Sequence, residues 1–157
     1  MENHDQQIEQ AYSKMAQLCS RSEQCSADIR KKILTYEIVD EIVDEIIEKL
    51  IAEKYIDDER FARAYVNDKF KFNKWGRVKM RFYLRQKGLS DATIEKGLEK
   101  IDEEKYIKVL VKTMKDKAKT IKKKDKFTKM GQIIRYTQGR GFEPELIHRH
   151  MNEVLDQ

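Results

Sequence analysis

Apolar residues recur along this chain in a pattern that repeats after about 50 residues. The segment Ser26–Leu50 aligns without a gap on Arg77–Ile101, which lies 51 residues later. The apolar positions that coincide are Ile29/Met80, Ile33/Leu84, Ile38/Leu89, Val43/Ile94, Ile47/Leu98 and Leu50/Ile101. A weaker third copy contains Ile133, Phe142, Ile147, Met151 and Val154. A period of this length predicts tandem supersecondary units that bury their apolar faces against neighbouring units.

The spacing inside each copy is helical. In the middle copy, Phe61, Ala64 and Tyr65 have the 1-4-5 spacing of one apolar helix face. Asp57 and Asp58 come just before them and predict a helix start, since a carboxylate there caps free N–H groups and complements the helix dipole. The sequence therefore predicts that the first helix of the middle copy begins near residue 58.

Glycine, serine and proline mark the ends of the later helices. A second helix is predicted after Gly76, and Gly88 has the position of a left-handed residue just past its end. Ser90 is expected to cap the third helix. In the last copy Gly141 has the role of Gly88, and Pro144 fits the first position of the next helix. The first copy has Glu37 instead of glycine, so its turn is expected to be strained.

Three helices in each of three copies predict an all-α protein of three tandem modules. The predicted boundaries are a flexible N-terminus at 1–9 and modules at 10–57, 58–103 and 104–157. Composition agrees with this fold class, because charged residues make up 39% of the chain and only 1 proline and 6 glycines interrupt it.

The sequence gives no sign of a membrane span or a secretory leader. No apolar run approaches the roughly 18 residues that a membrane helix needs, and the N-terminus lacks a basic start and an apolar core. We therefore expect a cytoplasmic protein. Cys19 and Cys25 are the only cysteines, and reduced thiols are expected of them, since no Cys-x-x-Cys motif or nearby His pair completes a metal site.

Charge is distributed unevenly along the chain. Residues 1–58 contain 7 Lys or Arg and 14 Asp or Glu, while residues 59–157 contain 26 and 14, so balances of −7 and +12 give the net charge of +5. The basic excess is concentrated in Glu59–Ser90 and Lys105–Lys126, each with ten basic and two acidic residues. Such density predicts a surface that attracts phosphates or an acidic protein groove. The alternative for either segment is a solvated helix face.

Catalytic chemistry is not indicated. The glycines are scattered as helix breakers and form no phosphate-binding loop. His148 and His150 are two residues apart on a predicted helix, so they point to different sides and cannot share a metal ion. We expect no enzyme activity, no metal and no cofactor.

Aromatic residues alternate with basic residues before Gly76. Phe70, Phe72 and Trp75 could stack on exposed bases or anchor a protein interface. Alternatively, Phe70 and Trp75 close the junction between two helices, which is favoured because a small module needs large side chains for its core.

These motifs resemble the RecX regulatory proteins. The resemblance rests on Tyr55-Ile56-Asp57-Asp58-Glu59-Arg60-Phe61-Ala62 and on Gly76-x-x-Lys79-Met80-x-x-Tyr83-Leu84-x-x-Lys87-Gly88-Leu89, followed by Arg140-Gly141-Phe142. It extends over residues 10–155. The signature residues are Asp57, Asp58, Phe61, Gly76, Gly88, Arg140, Gly141 and Phe142. Lys79 replaces the usual arginine and Tyr83 the usual acid, so Tyr83 is expected to face outward.

The resemblance implies an elongated, curved helical-repeat protein that binds the RecA recombinase filament. It further implies lodging in the filament groove, where the protein restrains filament growth, ATP hydrolysis and strand exchange. The alternatives are a DNA-binding protein without sequence preference that acts through its basic modules, and a structural adaptor whose charges serve solvation. The spread of Lys and Arg over several helices disfavours base reading from one recognition helix.

The predicted partner or DNA contacts are basic residues of the middle module: Arg60, Arg63, Lys69, Lys71, Lys74, Arg77, Lys79, Arg81, Arg85 and Lys87. Three of them, Arg77, Arg81 and Arg85, are spaced by four residues and are expected along one stripe of a helix. A secondary basic patch is predicted at Lys122, Lys123, Lys124 and Lys126. No small-molecule substrate and no membrane contact is expected.

Overall fold

A computed structural model describes residues 2–122 and 125–156, with side chains from residue 5 onward. This part of the chain forms helices and no strand, so the predicted all-α class is confirmed. The helices are α1 (Glu2–Arg21), α2 (Ser26–Leu34), α3 (Asp40–Ala52), α4 (Asp58–Asn73), α5 (Arg77–Gln86), α6 (Asp91–Leu98), α7 (Glu103–Thr120), α8 (Lys126–Gly139) and α9 (Pro144–Leu155).

The repeat predicted from apolar spacing is visible in the order of the helices. A long first helix (α1, α4 or α7) is followed each time by a shorter helix pair, which is α2–α3, α5–α6 or α8–α9. The aligned segments Ser26–Leu50 and Arg77–Ile101 thus form the same helix–turn–helix element. Helix α1 starts at Glu2, so the segment 1–9 assigned to a flexible end is helical from Glu2 onward.

The turns inside the three helix pairs each contain a residue with positive φ at the equivalent position. Gly88 has φ +83° and Gly141 has φ +98°, as predicted for residues just past a helix end. Glu37 occupies the equivalent position of the first pair with φ +58°. A side chain in this region brings Cβ close to the backbone, so the strain predicted for Glu37 is confirmed. Lys54 and Lys74 also have positive φ values, which the sequence did not indicate.

Replacing Glu37 by glycine should stabilise the protein. Glu37 is exposed, and removing its Cβ relieves a strain of about 1–2 kcal/mol, which exceeds the roughly 0.4–1 kcal/mol of entropy that a glycine adds to the unfolded chain. We expect urea unfolding to show a net gain of about 0.5–1 kcal/mol. Glu41→Gly, at an exposed helical position of α3, should instead destabilise. A loss of stability in Glu37→Gly would contradict the strained turn.

The contacts divide the chain into two compact units. Unit 1 contains the chain up to Ala64 together with Leu84–Gly97, and unit 2 contains Tyr65–Tyr83 together with the chain from Leu98 on. These limits differ from the boundaries of the predicted modules, because each unit takes part of the middle module. Helices α4 and α5 therefore contribute residues to both units.

Each unit buries an apolar core built from the repeated positions. In unit 1 the core includes Ile29, Ile33, Val43, Ile47 and Leu50, all of them 5% exposed or less. The core of unit 2 is formed by residues of α7, α8 and α9 together with the turn before α9: Tyr106, Leu110, Met114, Ala118, Ile133, Phe142, Leu146, Ile147, Met151 and Val154. The described helices include none that is both long and apolar enough to cross a lipid bilayer.

Candidate partner-binding surface

The two aspartates of the signature cap different helices. Asp57 accepts a hydrogen bond at Oδ1 from the backbone N–H of Arg60, at 3.1 Å, and so caps α4 as predicted. Asp58 instead accepts from the backbone N–H and the hydroxyl of Ser26, at 3.0 and 2.9 Å. Ser26 is the first residue of α2. The expectation that Asp58 caps its own helix is therefore corrected, because its carboxylate supplies the cap of α2.

Other residues of the middle module reach the same end of α2. Lys87 forms an ion pair with Asp28, with 2.9 Å between Nζ and Oδ2. Burial acts to raise the pKa of Asp28, but the hydrogen bonds from Lys87 and Cys25, together with the positive charges of Lys87 and Lys31, outweigh burial and lower the pKa below the ordinary value. Gly88 lies beside Ala27, since a Cβ at Gly88 would be 3.5 Å from that of Ala27. We call this set, Cys25–Asp28 with Asp58, Lys87 and Gly88, the first joint.

A second joint, in unit 2, connects the start of α5 with the turn before α9. The backbone N–H of Gly76 donates to the carbonyl of Arg140 at 2.8 Å, and that of Val78 donates to the carbonyl of Gly141 at 2.9 Å. The Arg140 guanidinium donates to the carbonyl of Asn73. A Cβ placed on Gly76 would lie 2.3 Å from the carbonyl carbon and oxygen of Gly141. The two signature glycines thus permit a close crossing of two backbone segments.

Arg77 is held inside the second joint. Its Nη1 lies 2.7 Å from Oε2 of Glu143, its Nη2 pairs with Glu103, and its guanidinium is 3.8 Å from the centre of the Tyr106 ring. The hydroxyl of Tyr106 accepts from the backbone N–H of Arg77 at 2.9 Å and donates to Glu143. Burial and the hydrogen bond to Glu143 raise the pKa of Tyr106. The side chain of Arg77 is only 17% exposed. Its charge is compensated within unit 2 by the carboxylates of Glu103 and Glu143.

The two joints are equivalent in the repeat. Ser26 and Arg77 align in sequence, and each receives an acid from the first turn of the next long helix, Asp58 in one case and Glu103 in the other. The turn glycine of the following helix pair, Gly88 or Gly141, packs against the same end. Five signature residues, Asp58, Gly76, Gly88, Arg140 and Gly141, therefore have structural roles in the two joints.

The remaining predicted basic residues have different environments. Arg60 pairs with Glu23 at 2.5 Å and also donates to the carbonyls of Lys54 and Tyr55. Arg85 is exposed and pairs with Asp91 at 2.9 Å. Arg63 is exposed and Arg81 is half-buried. Arg60, Arg77 and Lys87 therefore stabilise the fold. Within the stripe expected from Arg77, Arg81 and Arg85, the charge of Arg77 is already paired inside unit 2.

A cluster of aromatic and lysine side chains surrounds Trp75 in unit 2. Trp75 stacks on Tyr83 with 5.3 Å between ring centres, and Tyr65 meets it edge-on at 6.5 Å. The ammonium groups of Lys69 and Lys79 lie 4.9 and 4.6 Å from the Trp75 ring centre. These distances are within the range of favourable cation–π attraction.

Exposed aromatic and basic groups extend this cluster. Phe72 is 71% exposed and Phe82 is 54% exposed, while Lys71 and Lys74 are also exposed. Lys71 lies over the Phe72 ring at 5.4 Å. The Trp75 surface, as we name it, consists of Lys69, Lys71, Phe72, Lys74, Trp75, Lys79, Phe82 and Tyr83.

The charges of this surface are not compensated by acids. Within the ranges that the structure describes, no carboxylate forms an ion pair with Lys69, Lys71, Lys74 or Lys79. The aromatic residues that the sequence singled out have different environments. Phe70 packs on Tyr106 in the core of unit 2, Trp75 is half-buried at the junction of α4 and α5, and Phe72 points outward. Tyr83 is 38% exposed, as expected.

The secondary basic patch is described in part. Lys122 and Lys126 are exposed, whereas Lys123 and Lys124 lie outside the described residues. The thiols of Cys19 and Cys25 are free, and burial raises the pKa of both. No group of three His, Cys, Asp or Glu side chains suited to a metal ion occurs in residues 5–122 and 125–156.

Known proteins resemble this chain in sequence and in fold. The family model of the second three-helix domain of RecX matches residues 57–98. The regulatory protein RecX of Clostridium tetani is 32% identical over 104 residues, which are 65% of this chain and 47% of that protein. RecX of Clostridioides difficile is 24% identical over 152 residues, 97% of this chain and 71% of that protein. The resemblance to the RecX regulatory proteins is confirmed.

Solved structures extend the RecX likeness of the fold to nearly the whole chain. The crystal structure of RecX from Lactobacillus salivarius has a TM-score of 0.88 at 21% identity and covers 96% of this chain and 97% of that one. A second crystal structure of regulatory protein RecX has a TM-score of 0.85 at 22% identity, covering 99% and 74%. The RecX-like chain spans about half the length of the first curated relatives that it matches.

Proposed function

We propose that this RecX-like chain is a regulatory protein that binds the RecA recombinase filament and inhibits its ATPase and strand-exchange activities in recombination and DNA repair. The observation that carries the proposal is the Trp75 surface, in a chain whose family resemblance is to regulatory proteins named RecX. The surface combines exposed aromatic rings with lysines that have no acidic partner among the residues that the structure describes. Neither feature is needed by the apolar core of unit 2.

The chemistry of the Trp75 surface favours an anionic partner with apolar groups to cover the rings. Aromatic side chains that become desolvated are the usual energetic centres of protein interfaces. Uncompensated lysines around them steer an acidic groove into position and raise the association rate. Trp75, half-buried and stacked on Tyr83, is held in place before binding, which lowers the entropy lost on association.

The proposed mode of action is occupancy. A protein bound along a filament hinders the subunit movements that accompany nucleotide turnover and blocks the path of an incoming strand. Such action needs no covalent chemistry, metal or cofactor, and we propose that the chain is not an enzyme. The joints around Ser26 and Arg77 serve this function indirectly, because each joint connects one helical repeat to the next.

Reversing the lysine charges of the Trp75 surface should abolish most of the inhibition. We expect Lys69→Glu/Lys71→Glu/Lys74→Glu to need at least about tenfold more protein for half-inhibition of the DNA-dependent ATPase of a RecA filament, since 1.4 kcal/mol corresponds to tenfold and each charged contact contributes on the order of 1–3 kcal/mol. Inhibition by the unmodified chain should also weaken as salt rises, because exposed charges are screened over about 8–10 Å.

The matched control reverses three exposed lysines of unit 1, Lys14, Lys31 and Lys32. This variant has the same change in net charge and should inhibit normally, while helix content by circular dichroism stays unchanged in both. If the two variants inhibit equally well, the Trp75 surface does not bind the filament. The DNA-binding alternative predicts a different result, in which free DNA of any sequence binds as tightly as the filament and both activities disappear together.

A further inference from the structure

A groove on unit 2 is lined mainly by α7 and shares no residue with the Trp75 surface. It has a volume of about 360 Å³ and is lined by Ile107, Lys108, Val111, Lys112, Lys115, Asp116, Lys119 and Glu153. A smaller depression of about 90 Å³ shares Lys115 and Lys119 and adds Ala118, Lys129 and Val154. The lining follows α7 from residue 107 to residue 119, which is about 18 Å at the helical rise of 1.5 Å per residue.

The floor and the walls of this groove differ in chemistry. Ile107 and Val111 are half-buried and pack on the core of unit 2, so each leaves apolar surface open in the groove. The walls carry ammonium groups at positions 108, 112, 115 and 119. Their spacings of four, three and four residues place them along one side of α7.

We propose that this groove docks an acidic amphipathic helix of a protein partner. A helix with carboxylates spaced three and four residues apart presents them at the same intervals as the α7 lysines, while its apolar stripe covers Ile107 and Val111. Recognition of a helix in a groove commonly combines such an apolar stripe with charges at its edges. A length of about 18 Å accommodates roughly three helical turns.

The composition of the groove favours a protein helix over a nucleic acid backbone. Two carboxylates belong to the lining, Asp116 at 3.0 Å from Lys112 and Glu153 at 3.2 Å from His150. Carboxylates repel phosphates, and a phosphate backbone gains nothing from the apolar floor. A partner helix tolerates both carboxylates, because any basic residue at its edge pairs with them.

The test measures binding of a fluorescein-labelled, 18-residue synthetic peptide to the full chain by fluorescence anisotropy. The peptide has glutamates along one side of a helix and leucines along the other. We expect saturable binding with a dissociation constant of roughly 10–100 µM, typical of a small unoptimised interface. Lys108→Glu/Lys119→Glu, at exposed positions, should weaken binding at least about tenfold, or 1.4 kcal/mol. Lys31→Glu/Lys32→Glu, the matched control in unit 1, should bind normally.

Several outcomes would overturn the proposal. Equal binding of a peptide with the same composition but no apolar helix face would show that only charge is recognised. Binding of a labelled oligonucleotide, lost in Lys108→Glu/Lys119→Glu while the amphipathic peptide does not bind, would assign the groove to nucleic acid. Self-association of the chain that these substitutions abolish would assign the groove to a second copy. The proposal also fails if the peptide shows no saturable binding below about 500 µM.

Discussion

Replacing Gly76 by alanine should lower the free energy of unfolding by about 3 kcal/mol, the upper part of the range for overpacking a tight site. A Cβ at this position would lie 2.3 Å from the backbone of Gly141 and 2.5 Å from the nitrogen of Phe142. Backbone atoms cannot rotate away as a flexible side chain does, so the two crossing segments must separate. Separation breaks the hydrogen bonds from Gly76 to Arg140 and from Val78 to Gly141.

The measurement is urea unfolding followed by circular dichroism and by the fluorescence of the single tryptophan, which reports on unit 2. Gly131→Ala is the matched control in the same unit. Apart from the adjoining backbone of its own helix, no atom lies within 4 Å of a Cβ built there, and alanine is favoured over glycine in a helix by about 1 kcal/mol, so this variant should be more stable. If Gly76→Ala unfolds like the unmodified chain, the close crossing of Gly76 and Gly141 is incorrect.

Arg77→Ala should destabilise the protein by about 3 kcal/mol, the cost expected when one partner of a largely buried ion pair is removed. The substitution leaves the carboxylate of Glu143 beside the Tyr106 hydroxyl without its cation. It also removes the guanidinium that covers the Tyr106 ring. A charge-reversal variant that includes Arg77 therefore tests stability as well as partner binding.

Arg85→Ala is the control for this prediction, since it removes the same side chain from the same helix. Arg85 is 57% exposed and pairs with the exposed Asp91, and such a pair contributes at most about 1 kcal/mol. We expect thermal melting to separate the two variants clearly. Equal melting temperatures would contradict the buried network around Arg77.

The helices and their turns were predictable because their causes are local. The 51-residue repeat fixed the paired helices, and Gly88 and Gly141 have the positive φ values that a residue just past a helix end requires. The same alignment placed Glu37 at the position of Gly88 and so predicted its strained turn. Lys54 and Lys74 adopt positive φ without a glycine or asparagine to signal it, so the sequence alone did not reveal those turns.

The joints were not predictable, because their partners are distant in sequence. Asp58 caps Ser26 across 32 residues and Arg77 meets Glu143 across 66 residues. Capping statistics placed Asp58 on its own helix, and charge density placed Arg77 on the surface. The alignment of Ser26 with Arg77 was informative, however. Once the contacts of one of these residues are known, the alignment predicts equivalent contacts for the other.

The environments of the basic residues predicted for the partner surface were not predictable for the same reason. Composition gives the number of charges in a segment, but burial and ion pairs decide which of them remain available to a partner. Lys69 and Lys79 became notable only through their positions over Trp75. Their neighbour Phe72 follows the aromatic alternation in the sequence, which did indicate an interface.

The most direct test of the proposed function is lysine footprinting on the recombinase filament. The chain is acetylated with and without a saturating RecA filament on single-stranded DNA, and the extent at each lysine is read by mass spectrometry. We predict that Lys69, Lys71 and Lys74 react at least about fivefold more slowly in the complex, since interface cores exclude solvent and reagent. Lys31 and Lys32 should react at the same rate in both states. Unchanged rates at all five lysines under conditions where the ATPase is inhibited would contradict binding through the Trp75 surface.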